Sequence, residues 1–123
     1  MNTPPTTSLF RNAGDGQLVA AGTTIFAQGD PGDAMYVVQR GAVDLVADGV
    51  KVATIGPDEM FGEIALIDQG PRSTAAIAQT ETVVHRVDAA RFMVMIRQTP
   101  FFAMEVMRVL AYRLRQMDAR LTK

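Results

Sequence analysis

The chain has 123 residues, of which 48% are hydrophobic and 20% charged, with a formal net charge of −1 and no cysteine. This length suits one domain with one core, and the charge balance gives no general electrostatic reason to bind nucleic acid or an anionic membrane. The lack of cysteine excludes disulfides, iron–sulfur clusters and thiol catalysis. The opening MNTPPTTSLF lacks the features of a signal peptide, and no apolar run approaches the roughly twenty residues that span a bilayer, so we expect a cytoplasmic domain.

The first two thirds of the chain have the pattern of a β protein. Residues 1–15 are rich in Pro, Thr, Asn and Gly and are predicted to form a loose arm. From residue 17 to 87, short β-branched runs alternate with glycine-containing turns, which is typical of a β-barrel or sandwich. The dipeptide Asp48-Gly49 between VDLVA and VKVATI gives the strongest hairpin prediction. The predicted strands are Leu18–Ala20, Thr24–Ala27, Ala34–Gln39, Ala42–Ala47, Val50–Ile55, Arg72–Ala78 and Thr82–Val87.

Helical character begins after Asp88, which is predicted to cap a helix over Ala89–Gln98. Thr99-Pro100 ends that helix, and Pro100 suits the first turn of the next one. From Phe101 to about Leu121 the chain lacks Gly and Pro and is rich in helix-forming residues. Its apolar residues recur by alternating threes and fours, which predicts a seam that covers a pocket or pairs with another helix. The seam residues are Met107, Leu110, Leu114, Met117 and Leu121.

The stretch FGEIALIDQGPRSTAAIAQT, residues 61–80, carries the strongest chemical signal. Glu63 begins a short apolar helix whose free N–H groups and dipole suit an anion. Arg72, after a Gly-Pro turn, offers a planar fork of donors that matches two phosphate oxygens. Glu63 would repel an anion at this site unless its carboxylate has a hydrogen-bond partner of its own. A ribose hydroxyl can be that partner. A sugar and a phosphate side by side indicate a nucleotide. The alternative is a structural ion pair between Glu63 and Arg72.

This stretch closely resembles the phosphate-binding cassette of the cyclic nucleotide-binding domain family. The resemblance extends upstream through AGTTIFAQGDPGDAMYVVQRGAVDL and covers residues 16–121. It implies a mainly β fold, a jelly-roll β-barrel (double-stranded β-helix) over residues 17–87 with a short cassette helix, followed by C-terminal helices over residues 88–121. Residues 16–123 would then form the binding domain.

The resemblance implies a regulatory module that binds cAMP or cGMP and signals through its C-terminal helix, which acts as a lid on the base. No base–nucleophile pair or metal-ligand set is visible, so we expect neither an enzyme nor a cofactor other than the nucleotide ligand. The lid positions by alignment are Leu114, Met117 and Asp118. The implied ligand-binding residues are Phe61, Gly62, Glu63, Ile64, Ala65, Leu66, Pro71, Arg72, Ser73 and Thr74.

Several alternatives stay open. One alternative is a nucleotide-deaf protein-interaction module that keeps the fold. For the long helix, the alternatives are that it dimerises or that it packs on its own barrel. A DNA-binding regulator is not expected, because no recognition helix follows before Lys123. We favour cAMP over cGMP, although an inward Asp118 would favour cGMP. The arginines at 108, 113, 115 and 120 are expected in solvent, and His85, the only histidine, in a packing or surface role.

Overall fold

The computed structural model describes residues 3–121, and their side chains as far as Met117. Within that range the chain forms eight strands and three helices. The strands are β1 (Gln17–Val19), β2 (Thr24–Phe26), β3 (Ala34–Arg40), β4 (Val43–Ala47), β5 (Val50–Ile55), β6 (Met60–Phe61), β7 (Ala75–Ala78) and β8 (Thr82–Asp88). The helices are α1 (Glu63–Asp68), α2 (Ala89–Gln98) and α3 (Pro100–Leu121).

The strands pair antiparallel in two four-stranded sheets, ordered β1-β8-β3-β6 and β2-β7-β4-β5. Alternate residues of both sheets share one apolar core, because successive side chains in a strand point to opposite faces. The predicted mainly β jelly roll is confirmed, with two facing sheets instead of one closed barrel. The main core residues are Val19, Phe26, Tyr36, Val38, Val43, Leu45, Ile55, Phe61, Ala76 and Val84.

The hairpin between β4 and β5 has the predicted turn. Asp48 and Gly49 both have positive φ, 52° and 79°, as the two central residues of a type I′ turn require. The flanking residues Ala47 and Val50 are paired across the two strands. The hairpin prediction is therefore confirmed.

Near the cassette, one strand prediction is wrong in detail and one strand was missed. The strand predicted from Arg72 begins at Ala75, because the backbone of Arg72 bonds instead to the turn at Gly29 and Asp30. The two-residue strand β6, which leads into the cassette, was not predicted. Two residues are too few for an alternating pattern to be recognised.

The helices form a second apolar cluster on the outer side of the β1-β8-β3-β6 sheet. Asp88 caps α2 as predicted, since its carboxylate accepts a hydrogen bond from the Arg91 N–H at 2.8 Å. Helix α3 buries Phe102, Val106 and Val109 in this cluster. The predicted seam faces elsewhere: Met107, Leu114 and Met117 are exposed, Leu110 is partly buried, and the Leu121 side chain lies outside the described residues.

The N-terminal segment, described over residues 3–15, packs on the domain through buried residues where the sequence predicts a loose arm. Thr7 and Phe10 are both buried, and Phe10 stacks on His85 with ring centroids 4.5 Å apart. His85 is itself buried, with Nε2 2.7 Å from Gln39 Oε1, so of the packing and surface roles expected for it, the structure shows the packing role. The prediction of a loose arm is wrong because it followed the many polar residues and prolines of the segment. The two residues that anchor it, Thr7 and Phe10, form no pattern that would stand out among them. None of the described helices combines the length and apolarity needed to cross a membrane.

Candidate functional site

A cavity of about 590 Å³ lies between the cassette, the β4–β5 hairpin and α3. The cassette residues in its wall are Gly62, Glu63, Ile64, Ala65, Asp68, Pro71, Arg72, Ser73 and Thr74. Phe26, Leu45, Val52, Ala53 and Thr54 line it from the strands, and Tyr112, Arg113, Gln116 and Met117 from α3. Most of the predicted ligand-binding residues therefore meet at one cavity.

The cassette turns into α1 at Gly62, which has a left-handed backbone with φ of +79°. A side chain is strained in that conformation, and an added Cβ would lie 2.7 Å from Arg72 Nη1. Glycine thus permits both the turn and the close approach of the guanidinium. The two predicted residues that do not line the cavity, Phe61 and Leu66, are buried in the core clusters, where their side chains hold the cassette in place.

Arg72 is held inside the cassette and is only 4% exposed. Its Nη1 donates to the Gly62 carbonyl at 2.9 Å, its Nη2 donates to the Ala34 carbonyl, and its guanidinium lies 4.0 Å above the Phe26 ring. Burial lowers the pKa of the Arg72 guanidinium, and Tyr36 and Asp33 oppose that shift. Its Nε is buried and has no hydrogen-bond partner among the described residues. A buried cation that lines the cavity therefore has one unsatisfied donor.

Glu63 is 1% exposed and pairs with Arg113 of α3. Arg113 Nε donates to Glu63 Oε2 at 2.6 Å, and Arg113 Nη2 donates to the Met60 carbonyl at 2.9 Å. The alternative of a Glu63–Arg72 ion pair is wrong, since Glu63 takes its cation from α3. The expectation that Arg113 lies in solvent is also wrong. A sequence signal existed, because Arg113 continues the spacing of the buried residues Phe102, Val106 and Val109 along α3.

A second carboxyl group lies near the same guanidinium. Burial raises the pKa of Glu59, while a backbone hydrogen bond from Gly56 and the charge of Arg113 act in the opposite direction. The charge of Arg113 therefore acts on Glu59 as well as on Glu63.

The lid positions predicted on α3 are only partly present at the cavity. Met117 lines it, whereas Leu114 is 60% exposed and is not part of the wall. The Asp118 side chain lies outside the described residues. Tyr112, Arg113 and Gln116 line the cavity instead. Leu114 and the residues that line the cavity lie on different faces of α3, because alignment alone does not give the rotation of the helix about its axis.

Known proteins match both the sequence and the fold. The family model for the cyclic nucleotide-binding domain matches residues 17–99. The cyclic AMP receptor protein of Thermus thermophilus is 36% identical over 110 residues, which is 85% of this chain and 51% of the receptor. The cAMP-dependent protein kinase regulatory subunit of Eremothecium gossypii is 41% identical over 85 residues, 69% of this chain and 19% of the subunit.

The solved structures agree. The crystal structure of the Thermus thermophilus catabolite activator protein superposes with a TM-score of 0.81 at 32% sequence identity, over 94% of this chain and 62% of that one. This chain spans about half of the receptor and about a fifth of the kinase subunit. The agreement of family model, relatives and fold shows that the chain belongs to the cyclic nucleotide-binding domain family.

Proposed function

We propose that this domain is a regulatory module that binds a 3′,5′-cyclic nucleotide, preferentially cAMP, in the cavity between the cassette and α3, and that it acts in the cytoplasm. The observation that carries the proposal is the unsatisfied Nε of Arg72. A buried donor without an acceptor is costly, whereas an anionic oxygen at that position would satisfy it with a charge-assisted bond. The hydroxyls of Ser73 and Thr74, which also line the cavity, add uncharged donors for a cyclic phosphate.

The ribose fits beside Glu63. The carboxylate bonds Arg113 chiefly through Oε2, and its Oε1 makes only a long contact of 3.4 Å to Arg113 Nη2. Since each carboxylate oxygen can accept more than one hydrogen bond, Glu63 keeps the capacity to accept from a 2′-hydroxyl. Arg113 balances the charge of Glu63, so that the carboxylate repels a neighbouring phosphate less.

The base fits in the outer part of the cavity. Gln116 lies three residues beyond Arg113, about 4.5 Å further along the helix. If Arg113 and Glu63 are beside the ribose, Gln116 is beside the base. Val52 of β5 and Met117 supply apolar surface on the two sides. A glutamine amide has one donor group for N1 of adenine and one acceptor for its N6 amino group, which supports cAMP.

Binding at this place couples the ligand to α3. A ligand shifts a helix only if its affinity differs between two positions of that helix, and contacts with Arg113, Gln116 and Met117 would provide such a difference. The groups proposed to hold the phosphate are a guanidinium and two hydroxyls, with no metal-ligand cluster in the described part of the chain. We therefore propose binding without turnover and without a cofactor.

The signal would leave through the outer face of α3. Met104, Met107 and Leu114 are each between 44% and 60% exposed, and the interval of seven residues from Met107 to Leu114 is a heptad repeat. We propose that this face pairs with a second copy of the chain. Sedimentation at micromolar concentration with and without cAMP tests this, and a monomer under both conditions would remove the dimer.

Isothermal titration calorimetry with cAMP, cGMP, 2′-deoxy-cAMP and acyclic 5′-AMP tests the binding function. We expect cAMP to bind most tightly, the deoxy analogue more weakly, and 5′-AMP least. In the Glu63→Gln variant the difference between cAMP and its deoxy analogue should shrink. If none of the nucleotides binds, the chain is a nucleotide-deaf interaction module instead.

A further inference from the structure

The N-terminal segment and α3 are joined by a buried side-chain hydrogen bond. Thr7 Oγ1 donates to Glu105 Oε1 at 2.7 Å, across 98 residues of sequence. Thr7 is 1% exposed and Glu105 is 8% exposed. A buried carboxylate needs hydrogen bonds to compensate for its lost hydration, and the Thr7 hydroxyl supplies one.

Thr7 is also joined to the segment that leads into the cassette. Its backbone N–H donates to the Asp58 carbonyl at 2.8 Å. Four residues later, Arg11 reinforces the same attachment, because its Nη2 lies 2.7 Å from Asp58 Oδ2. The Asp58 N–H in turn donates to the Val38 carbonyl of β3 at 2.7 Å. One residue therefore contacts α3 through its side chain and the turn before β6 through its backbone.

Arg113 links the same two parts of the molecule at the nucleotide site. It stands on α3 two turns beyond Glu105, about 12 Å along the axis. Its Nη2 donates to the carbonyl of Met60, two residues after Asp58. Thr7 and Arg113 thus form two parallel cross-links between α3 and residues 58–60. Movement of α3 at the first cross-link changes the distance that the second must span to reach Glu63.

We propose that Thr7 is a positioning residue for the nucleotide site: through Glu105 it sets the position of α3, and thereby keeps Arg113 on Glu63. The inference rests on the proposed function for its effect on affinity, and on the geometry alone for its effect on α3. It gives the N-terminal segment a role in ligand binding although the segment does not line the cavity.

The test compares Thr7→Val, which keeps the shape but removes the hydroxyl, with Thr7→Ser, which keeps it. Thr6→Val is the matched control, because Thr6 is exposed. In the full chain, below the onset of unfolding, we expect Thr7→Val to weaken cAMP binding three- to tenfold. Thr7→Ser and Thr6→Val should stay within twofold of wild type. Wild-type affinity in a folded Thr7→Val protein would overturn the inference.

A double-mutant cycle separates positioning from general loosening. In an Arg113→Met background, Thr7→Val should have no further effect on cAMP affinity, because the residue through which it acts is gone. An equal loss in both backgrounds would contradict positioning through Arg113.

Hydrogen exchange of the ligand-free protein gives a readout that does not need the ligand. Thr7→Val should accelerate exchange of the α3 amides over residues 109–117, whereas Thr6→Val should not. If wild type fails to bind any cyclic nucleotide, the proposed function is wrong and the exchange result alone decides the inference. Unchanged exchange in α3 would overturn it.

Discussion

Arg113 and Glu63 lie 50 residues apart in the sequence and 2.6 Å apart in the structure, from the guanidinium Nε to the carboxylate Oε2. This contact attaches the long C-terminal helix to the first residue of the cassette helix. Since Glu63 is fully buried, the cation also decides whether the carboxylate is tolerated there.

Removing Arg113 should therefore destabilise the fold. Breaking a fully buried ion pair costs about 3–5 kcal/mol, and Arg113 has a side chain 24% exposed, so we expect Arg113→Met to lower the free energy of unfolding by about 2–3 kcal/mol. Urea denaturation measures this. The double variant Glu63→Gln/Arg113→Met should be more stable than Arg113→Met alone, because no carboxylate is then left unpaired. Equal losses in the two proteins would show that an unpaired Glu63 carboxylate costs no stability once Arg113 is removed.

Arg72 should be required for affinity. Replacing it with leucine removes a desolvated cation from the phosphate, and we expect a loss of about 2–5 kcal/mol in cAMP binding. Arg72→Lys keeps the charge but loses the Nε donor and the planar fork, so its loss should also exceed tenfold. Calorimetry measures the affinities, with circular dichroism as the check on folding. A folded Arg72→Leu variant with wild-type affinity would refute the proposed phosphate site.

Gln116 should set the preference for the base. Gln116→Glu removes the donor and leaves only acceptors, which suit the N1–H and N2–H groups of guanine better than adenine. We expect the affinity ratio of cAMP to cGMP to shift tenfold or more towards cGMP, about 1.4 kcal/mol. Arg115→Gln is the matched control, because it changes the net charge of α3 by the same −1 at an exposed position. An unchanged ratio in Gln116→Glu would show that Gln116 does not select the base, which leaves Asp118 as the candidate.

His85 should make stability depend on pH. Burial lowers its pKa from the ordinary 6.5, Arg91 acts in the same direction, and Asp15 opposes them. The unfolded chain therefore binds a proton at higher pH than the folded one, and the free energy of unfolding falls as pH drops through 6.5 towards the folded pKa. We expect His85→Phe, which keeps an aromatic ring against Phe10, to have a shallower slope between about pH 7 and 5. Chemical denaturation across that range measures it, and identical slopes would contradict the assignment.

Local signals predicted the parts of this fold that depend on local physics. The Asp48-Gly49 turn, the Asp88 cap and the break at Pro100 each follow from the conformational preferences of one or two residues. The cassette around Glu63 and Arg72 was recognisable because its glycine, carboxylate and guanidinium are close in sequence.

The rest depends on tertiary packing. Arg113 reaches Glu63 only after α3 folds back over the sheet, and the burial of Thr7 requires a partner 98 residues away. The spacing of Arg113 along α3 signals that it turns inwards, but it does not identify Glu63 as the partner. No pattern in the sequence signals the contact of Thr7 with Glu105. The rotation of α3 about its axis also explains why Leu114, which was predicted at the lid, is exposed.

The buried hydrogen bond between Thr7 and Glu105 joins two residues that both lie outside the part of the chain that defines the family. The part that matches the family model, residues 17–99, contains Glu63 and Arg72 but neither Thr7 nor Arg113. A fragment trimmed to residues 17–99 would keep Glu63 and Arg72 but would lose Thr7 and the whole of α3, including Arg113. On the proposed function, a fragment able to sense a ligand would therefore extend beyond residues 17–99 at both ends.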